Sequence, residues 1–279
     1  MRPCAVSPGF EQHRFVFIGG LPRSGTTFLA HAIARFAGVS DLEGTGVKAD
    51  EGQYLQDVYP RQRDAGGSAK FAYSREMHIT ESSPLVNEAS RVALWDAWCP
   101  YWDTDKPILL EKTPSNLLKM RFLQALFPAS SFVVMIRHPV AEAMALRARG
   151  WTRRPVPMLI HHWLTAHEIM SSDLPSLNRV VVVRYEDVVA KPHEELKGLQ
   201  SFLGLDSESP DEEFQQGLND TYFQEWVDGG PLTKLVNRIT TGRFESRIRR
   251  YGYSFTSPMP VGPLAPELPA LERPDEGSH

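Results

Sequence analysis

The feature that most constrains the fold is a strand–loop–helix pattern near the N-terminus, at residues 15–29. Residues 15–18 form an apolar run that predicts a buried strand, and the run ends at Gly19 and Gly20. From Thr26 onward, apolar residues recur on one helical face, which predicts a helix. A glycine-containing loop between a strand and a helix N-terminus directs backbone N–H groups and the positive helix dipole toward an anion. We therefore predict an anion-binding loop, with a purely structural turn as the alternative.

The spacing of this loop nearly matches the nucleotide P-loop, G-x-x-x-x-G-K-[ST]. Gly20 and Gly25 are correctly spaced, but Thr26 occupies the place of the lysine, and the positive charge lies inside the loop at Arg23. A loop without that lysine is poorly equipped to hold the β- and γ-phosphates of a triphosphate. The pattern therefore indicates binding of a single 5′-phosphate with its attached leaving group.

Three further apolar runs predict strands, at residues 107–110, 131–136 and 180–183. Strands that alternate with helices are typical of one parallel sheet, so we predict an α/β, P-loop-like three-layer fold with a central parallel sheet flanked by helices. Four candidate site segments follow the predicted strand ends: residues 20–27, Lys112, Arg137 and Tyr185. Ligands bind such sheets at the carboxyl ends of the strands, so we expect these segments to share one edge.

The composition is that of an ordinary globular protein. Of the 279 residues, 42% are hydrophobic and 23% are charged, which is enough apolar material for a sizeable core. We predict one domain over residues 1–256, followed by a Pro-rich, disordered tail over residues 257–279. The formal net charge of −4 argues against a broad nucleic-acid-binding surface.

Signals for membranes and metals are also weak. No apolar run approaches the ~18 residues of a membrane span, and the N-terminus lacks the apolar segment of a signal peptide. We expect a cytoplasmic protein without membrane contact, and a homodimer stays open. Cys4 and Cys99, expected to be free thiols, have no zinc-binding spacing, and His161, His162 and His167 lack the i, i+4 spacing of a helical metal site. We expect no metal.

Residues 22–27, Pro-Arg-Ser-Gly-Thr-Thr, resemble the 5′-phosphosulfate loop of sulfotransferases that use 3′-phosphoadenosine 5′-phosphosulfate (PAPS). The similarity is to the bacterial group related to tyrosylprotein sulfotransferases, and it covers roughly residues 15–205. It implies transfer of a sulfuryl group from PAPS to the hydroxyl of a tyrosyl, carbohydrate or small-metabolite acceptor; the alternative is a P-loop nucleotide kinase or NTPase. The loop residues implied to bind PAPS are Arg23, Ser24, Gly25, Thr26 and Thr27.

The segment that begins at Ser131 resembles the family's 3′-phosphate-binding motif, an Arg at a strand end and a Ser eight residues later. Arg137 matches, but the eighth position is Ala145, so one hydrogen bond of ~1 kcal/mol is missing. Related tyrosylprotein enzymes also use an Arg twelve positions after the first, which here is Arg149; the alternative is a solvated helix residue. Tyr185 matches a tyrosine that touches the nucleotide in relatives, with simple ring packing as the alternative.

The resemblance also implies catalytic residues. Lys112 stands in the Lys-x-Pro context of a catalytic lysine, with a role, shared with Arg23, of stabilising charge on the sulfuryl group; the alternative is a surface lysine. Glu51 is similar in placement to the family's glutamate base, although its spacing from the first helix differs and Glu43 is nearer. His78 is the second candidate, because cytosolic sulfotransferases use a histidine and its pKa suits proton transfer. The sequence leaves the base open between Glu51 and His78.

Overall fold

The computed structural model describes residues 9–205 and 217–271. At its centre lies a parallel five-stranded sheet with the order β2-β3-β1-β4-β5. The strands are β1 Arg14–Gly20, β2 Val39–Ser40, β3 Ile108–Lys112, β4 Ser130–Ile136 and β5 Val180–Arg184. Four of them fall on the predicted apolar runs, so the predicted α/β class is confirmed. The two-residue β2 is too short to leave a periodic pattern in the sequence, and it was missed.

Helices cover both faces of the sheet and complete three layers. They are α1 Thr26–Ala34, α2 Glu88–Trp98, α3 Met120–Leu126, α4 Pro139–Ala148, α5 Val156–Asp173, α6 Tyr185–Ala190, α7 Pro192–Leu203, α8 Leu218–Val227 and α9 Pro231–Ile248. One apolar cluster joins the sheet to α1, α6 and α7, and a second joins the opposite face to α2, α3, α4 and α5.

Strand β1 shows why its sequence is continuously apolar. Phe15 and Phe17 point to the cluster that contains the fully buried Trp98, whereas Val16 and Ile18 belong to the cluster on the α1 face. A parallel strand that is covered on both faces cannot alternate between apolar and polar residues. Trp95, Trp98 and Trp102 belong to the same cluster and are buried, so these tryptophans pack in the core.

The strand register brings the predicted site segments to one edge. In the ladder, Ile18 pairs with Lys112, Gly20 with Met135, and Ile136 with Arg184. The carboxyl ends of β1, β3, β4 and β5 are therefore level with one another, and the residues that follow them begin at the same edge. The prediction of a shared edge is confirmed.

The C-terminal segment differs from the expected disordered tail. Val182 N in the edge strand β5 donates a hydrogen bond to Pro269 O at 2.6 Å, and Leu268 is buried against the core. The prediction of disorder is wrong over residues 257–271, because apolar residues between the prolines pack against the rest of the domain. Residues 272–279 lie outside the described residues.

Residues 60–80 contain no long helix or strand, yet part of this segment is buried. Phe71 and Ala72 are buried, and Ala72 N donates to His162 Nε2 at 3.2 Å. This part of the segment packs against α5 through local 3-10 turns, which leave no regular period for a sequence reading to detect.

Candidate active site

The loop between β1 and α1 forms a narrow cradle. Gly25 precedes α1 with φ +104°, a conformation that favours glycine, and a Cβ at this position would lie 2.8 Å from Tyr185 Cδ2. The helix begins at Thr26, so the N–H groups of its first turn have no intrahelical acceptor. Ser24 is fully buried, and its Oγ has no hydrogen-bond partner in the described part of the chain. These groups can all donate to one anion.

Arg137 follows β4 and reaches across this loop. Its Nη1 donates to Arg23 O at 2.8 Å, and its Nε donates to Asn219 Oδ1 at 2.9 Å. The guanidinium carbon lies 4.3 Å from the centre of the Tyr185 ring. Its third nitrogen, Nη2, is buried and has no partner among residues 9–205 and 217–271. Two of the three guanidinium nitrogens are thus hydrogen-bonded to the protein, and Nη2 can donate to a ligand.

A buried hydrogen-bond network centred on Glu186 orients Arg137 through Asn219. Glu186 Oε1 accepts from His138 N at 2.9 Å and from Asn219 Nδ2 at 2.5 Å, and its Oε2 accepts from the Tyr253 hydroxyl at 2.7 Å. Because its amide nitrogen is held in this way, Asn219 presents Oδ1 to the guanidinium. Asn219 was not predicted as a site residue, because it stands far along the chain in no recognisable motif.

Cationic groups are concentrated around Arg23. Burial lowers the pKa of the Arg23 guanidinium, and the neighbouring charges of Arg149 and Arg137 lower it further. Arg23 lies 5.7 Å and Lys48 lies 4.1 Å from the centre of the Trp151 ring, within range of cation–π attraction. Arg23 Nε is buried without a partner in the described ranges. So many cations at one place favour a multiply charged anion.

Lys112 and Glu51 form a buried pair of opposite charges. Lys112 Nζ lies 3.6 Å from Glu51 Oε1 and donates to Ala49 O at 2.9 Å. Glu51 Oε2 accepts from Gln53 Nε2 at 2.6 Å. Burial raises the pKa of Glu51 and lowers the pKa of Lys112, and the attraction between the two charges opposes both shifts. A carboxylate with a raised pKa is suited to accept a proton.

A cavity of about 460 Å³ has both loop residues and Glu51 in its walls. Its walls include the predicted residues Arg23, Gly25, Thr26, Thr27, Glu51, Arg137 and Tyr185. They also include residues that the sequence analysis did not select: Lys48, Tyr54, Gln62, Ser68 and Trp151. Lys48 could have been found, because it is a cation three residues before the candidate base Glu51. The others lie in irregular segments that carry no periodic signal.

Five predicted site residues are not among the cavity walls: Ser24, His78, Lys112, Ala145 and Arg149. Ser24 adjoins two wall residues in the chain, and Lys112 lies 3.6 Å from the wall residue Glu51. His78 Nε2 is 2.9 Å from Asp173 Oδ2, and this histidine is not among the cavity walls, so its geometry does not favour the role of base. Ala145 is fully buried in α4 and does not line the cavity either. One turn later, Arg149 is exposed at the end of α4, where its charge acts on Arg23.

Over residues 9–205 and 217–271, no group of three or more His, Cys, Asp or Glu side chains could hold a metal ion, and no helix is long and apolar enough to cross a membrane. His162 and His167 are packed inside the protein, and burial lowers their pKa values to about 3 and about 4. Cys99 is disulfide-bonded, so the free thiol expected there is wrong; Cys4 lies outside the described residues.

Comparison with solved structures gives partial similarity to two sulfotransferases, both with TM-scores below 0.5. The sulfotransferase domain from the Synechococcus PCC 7002 olefin synthase is 21% identical with a TM-score of 0.43, covering 79% of each chain. A sulfotransferase from Alicyclobacillus acidocaldarius is 16% identical with a TM-score of 0.47, covering 85% of this chain and 96% of that one.

Similar proteins with curated functions are named protein-tyrosine sulfotransferases. Protein-tyrosine sulfotransferase A of Caenorhabditis elegans is 24% identical over 201 residues, which are 68% of this chain and 50% of that protein. Protein-tyrosine sulfotransferase 2 of Gallus gallus is 24% identical over 197 residues, 68% of this chain and 51% of that protein. The chain thus spans about half the length of these relatives. The model of the Sulfotransferase family matches residues 16–209, a stretch that includes the loop, Lys112, Arg137 and Tyr185. The chain belongs to the sulfotransferase family.

Proposed function

We propose that the protein transfers a sulfuryl group from PAPS to an acceptor hydroxyl. The observation that carries the proposal is one cavity whose walls include Arg23, Arg137 and Glu51. Each arginine has a buried nitrogen without a partner in the described part of the chain, and Glu51 lies 3.6 Å from Lys112. Membership of the sulfotransferase family supports the reaction class. The alternative of a nucleotide kinase or NTPase is not supported, because Thr26 occupies the position of the P-loop lysine.

The nucleotide-binding residues follow from the free donors. The backbone N–H groups of residues 25–27 and the hydroxyls of Ser24, Thr26 and Thr27 hold the 5′-phosphosulfate. Arg137 Nη2, supported by Arg149, holds the 3′-phosphate through charge-assisted hydrogen bonds. The Tyr185 ring, stacked beside Arg137, contacts the nucleotide. Ala145 offers no hydroxyl, so the two arginines carry the 3′-phosphate contact.

The reaction uses the two ends of the cavity together. Glu51 takes the proton of the acceptor hydroxyl as its oxygen attacks sulfur, and the bond between sulfur and the bridging phosphate oxygen breaks. Arg23 and Lys112 stabilise the charge that develops on the sulfuryl and bridging oxygens. Adenosine 3′,5′-bisphosphate and the sulfated acceptor are the products. Lysine and arginine supply the positive charge, and we propose that no metal takes part.

The acceptor class stays open among tyrosyl, carbohydrate and small-metabolite hydroxyls. The similar curated proteins are named protein-tyrosine sulfotransferases, so a tyrosyl peptide is the first acceptor to test. The cytoplasmic location, the homodimer and the lack of nucleic-acid and membrane partners stay predictions. A screen of the three acceptor classes with labelled PAPS would identify the acceptor.

Thermal stabilisation tests the nucleotide part without an acceptor. A ligand that binds only the folded state raises the melting temperature. We expect PAPS and adenosine 3′,5′-bisphosphate to stabilise the purified protein and ATP with magnesium to do so far less. Stabilisation by ATP alone would contradict the proposed function and support the kinase alternative.

A further inference from the structure

The backbone next to Glu51 is hydrogen-bonded to buried side chains through both its N–H and its C=O groups. Gly52 N donates to Glu111 Oε1 at 2.9 Å, and Gly52 O accepts from Trp98 Nε1 at 3.0 Å. The next amide, Gln53 N, donates to Thr113 Oγ1 at 3.2 Å. We name Trp98, Glu111 and Thr113 the Gly52 clamp. Its three members are almost fully buried.

Glu111 is the centre of the clamp. Its Oε1 also accepts from the Thr113 hydroxyl at 2.6 Å, and its Oε2 accepts from Asn116 Nδ2 at 2.5 Å. A buried carboxylate needs such donors, because burying a charge without partners is costly. The fit is close: a Cβ at Gly52 would lie 2.7 Å from Glu111 Oε1 and 2.8 Å from Trp98 Nε1.

The chain before Glu51 is strained and is also held. Ala49 and Asp50 have φ +53° and +47°, in the left-handed region that residues with a Cβ disfavour. Lys112 Nζ donates to Ala49 O at 2.9 Å, and Asp50 Oδ1 accepts from Thr45 N at 2.9 Å. Such strain persists only where the surroundings over-determine the conformation. Glu51 therefore lies between a held strained turn and the clamped Gly52.

We infer that the Gly52 clamp positions Glu51 toward Lys112 and the acceptor, so that Thr113 and Glu111 are positioning residues for proton transfer. The inference rests on the proposed function, in which Glu51 is the base. None of the three clamp side chains lines the cavity. Loosening the clamp should therefore lower kcat and leave nucleotide affinity unchanged, because misplacing a catalytic group slows the reaction without touching the anion site.

A matched pair of variants at Thr113 tests the inference. Thr113→Val keeps the shape but removes the hydroxyl that links Gln53 N to Glu111, whereas Thr113→Ser keeps the hydroxyl. Turnover is measured with labelled PAPS and the faster of a tyrosyl peptide or a simple phenol, and nucleotide affinity by calorimetry with adenosine 3′,5′-bisphosphate. We expect Thr113→Val to lose at least tenfold in kcat, Thr113→Ser to stay within about threefold of wild type, and both to keep the Kd within about twofold. Unchanged kcat in Thr113→Val, or equal losses in both variants, would overturn the inference.

Amide hydrogen exchange separates failure of the clamp from failure of the proposed function. If wild type transfers no sulfuryl group to either acceptor, the clamp is still read from the exchange rates of Gly52 N and Gln53 N. We expect both amides to be protected in wild type and at least tenfold less protected in Thr113→Val, with Leu29 N in α1 as an unchanged reference. Fast exchange of both amides in wild type would refute the clamp whatever the turnover.

Discussion

The two ends of the cavity differ in how their polar groups are satisfied. At the anion end, Arg137 Nη2 and Arg23 Nε are buried without partners in the described ranges. At the acid–base end, Lys112 Nζ already donates to Ala49 O and lies 3.6 Å from Glu51. An unpaired buried donor costs about 1–3 kcal/mol, which a bound anion would relieve. The acid–base end is instead preorganised before any substrate arrives.

This difference separates binding from chemistry. A residue at the anion end should affect nucleotide affinity, since its donors lack protein partners. A residue at the acid–base end should affect kcat, since its contacts within the protein are already made. Variants at the two ends test whether binding and chemistry are separated in this way, because each variant has its own expected change in Kd and in kcat.

The largest effect is expected at the base. Glu51→Gln removes the proton acceptor and should lower kcat by about 10²–10⁴-fold. His78→Asn is the control, because His78 is bonded to Asp173 away from the cavity, and its kcat should stay within about twofold. Steady-state turnover of both variants is the measurement. If the two results were exchanged, His78 would be the base.

The pH dependence of kcat has a definite sign. Burial raises the pKa of Glu51 above the ordinary glutamate value of 4.5. The base works only when ionised, so kcat should fall as the pH drops through a pKa higher than 4.5, and this acid limb should be absent in Glu51→Gln. A pH–rate profile of both proteins provides the test. An acid limb that persists in the variant would point to another titrating group.

The next effect is expected at the lysine. Lys112→Ala should lower kcat by about 10²–10³-fold through lost stabilisation of the developing charge. Its contacts are with Ala49 and Glu51, so the Kd of adenosine 3′,5′-bisphosphate should change little. Lys234→Ala, an exposed lysine on α9, is the matched control. A large loss of nucleotide affinity in Lys112→Ala would remove the separation between the two ends.

Arg137 should show the opposite behaviour. Arg137→Ala removes charge-assisted hydrogen bonds worth about 1.5–3 kcal/mol each. It should therefore weaken the binding of adenosine 3′,5′-bisphosphate by about 10–100-fold. Arg147→Ala, an exposed arginine on α4, is the control for a general loss of positive charge. Calorimetric titration measures both. Equal losses in the two variants would mean that long-range charge, rather than the buried Arg137 donor, holds the nucleotide.

The smallest effect is expected at Ala145. This residue is fully buried and does not line the cavity, so a hydroxyl added by Ala145→Ser has no direct path to the ligand. We expect the bisphosphate Kd to change by less than about twofold. Tighter binding, by about fivefold or more, would show that the missing family serine can be restored and that α4 shifts when nucleotide binds.

The elements that were predicted correctly have local signals. Strands β1, β3, β4 and β5 are continuous apolar runs because both faces of the sheet are covered, and α1 has a clear apolar face. The irregular segments were harder to predict: Phe71 is buried within a stretch without periodicity, and residues 257–271 pack despite their many prolines. Contacts with distant parts of the chain decide such segments.

Local sequence signals were enough to predict the parallel α/β sheet, a β1–α1 loop without the P-loop lysine, and the shared edge at which the strands before Lys112, Arg137 and Tyr185 end. These features depend on local periodicity and on the rule that parallel strands end together. Only the tertiary structure decided that Glu51 faces Lys112 while His78 faces Asp173, 95 residues away. The physical reason is that a side chain's partner and burial, and hence its pKa, are set by residues that are distant in sequence.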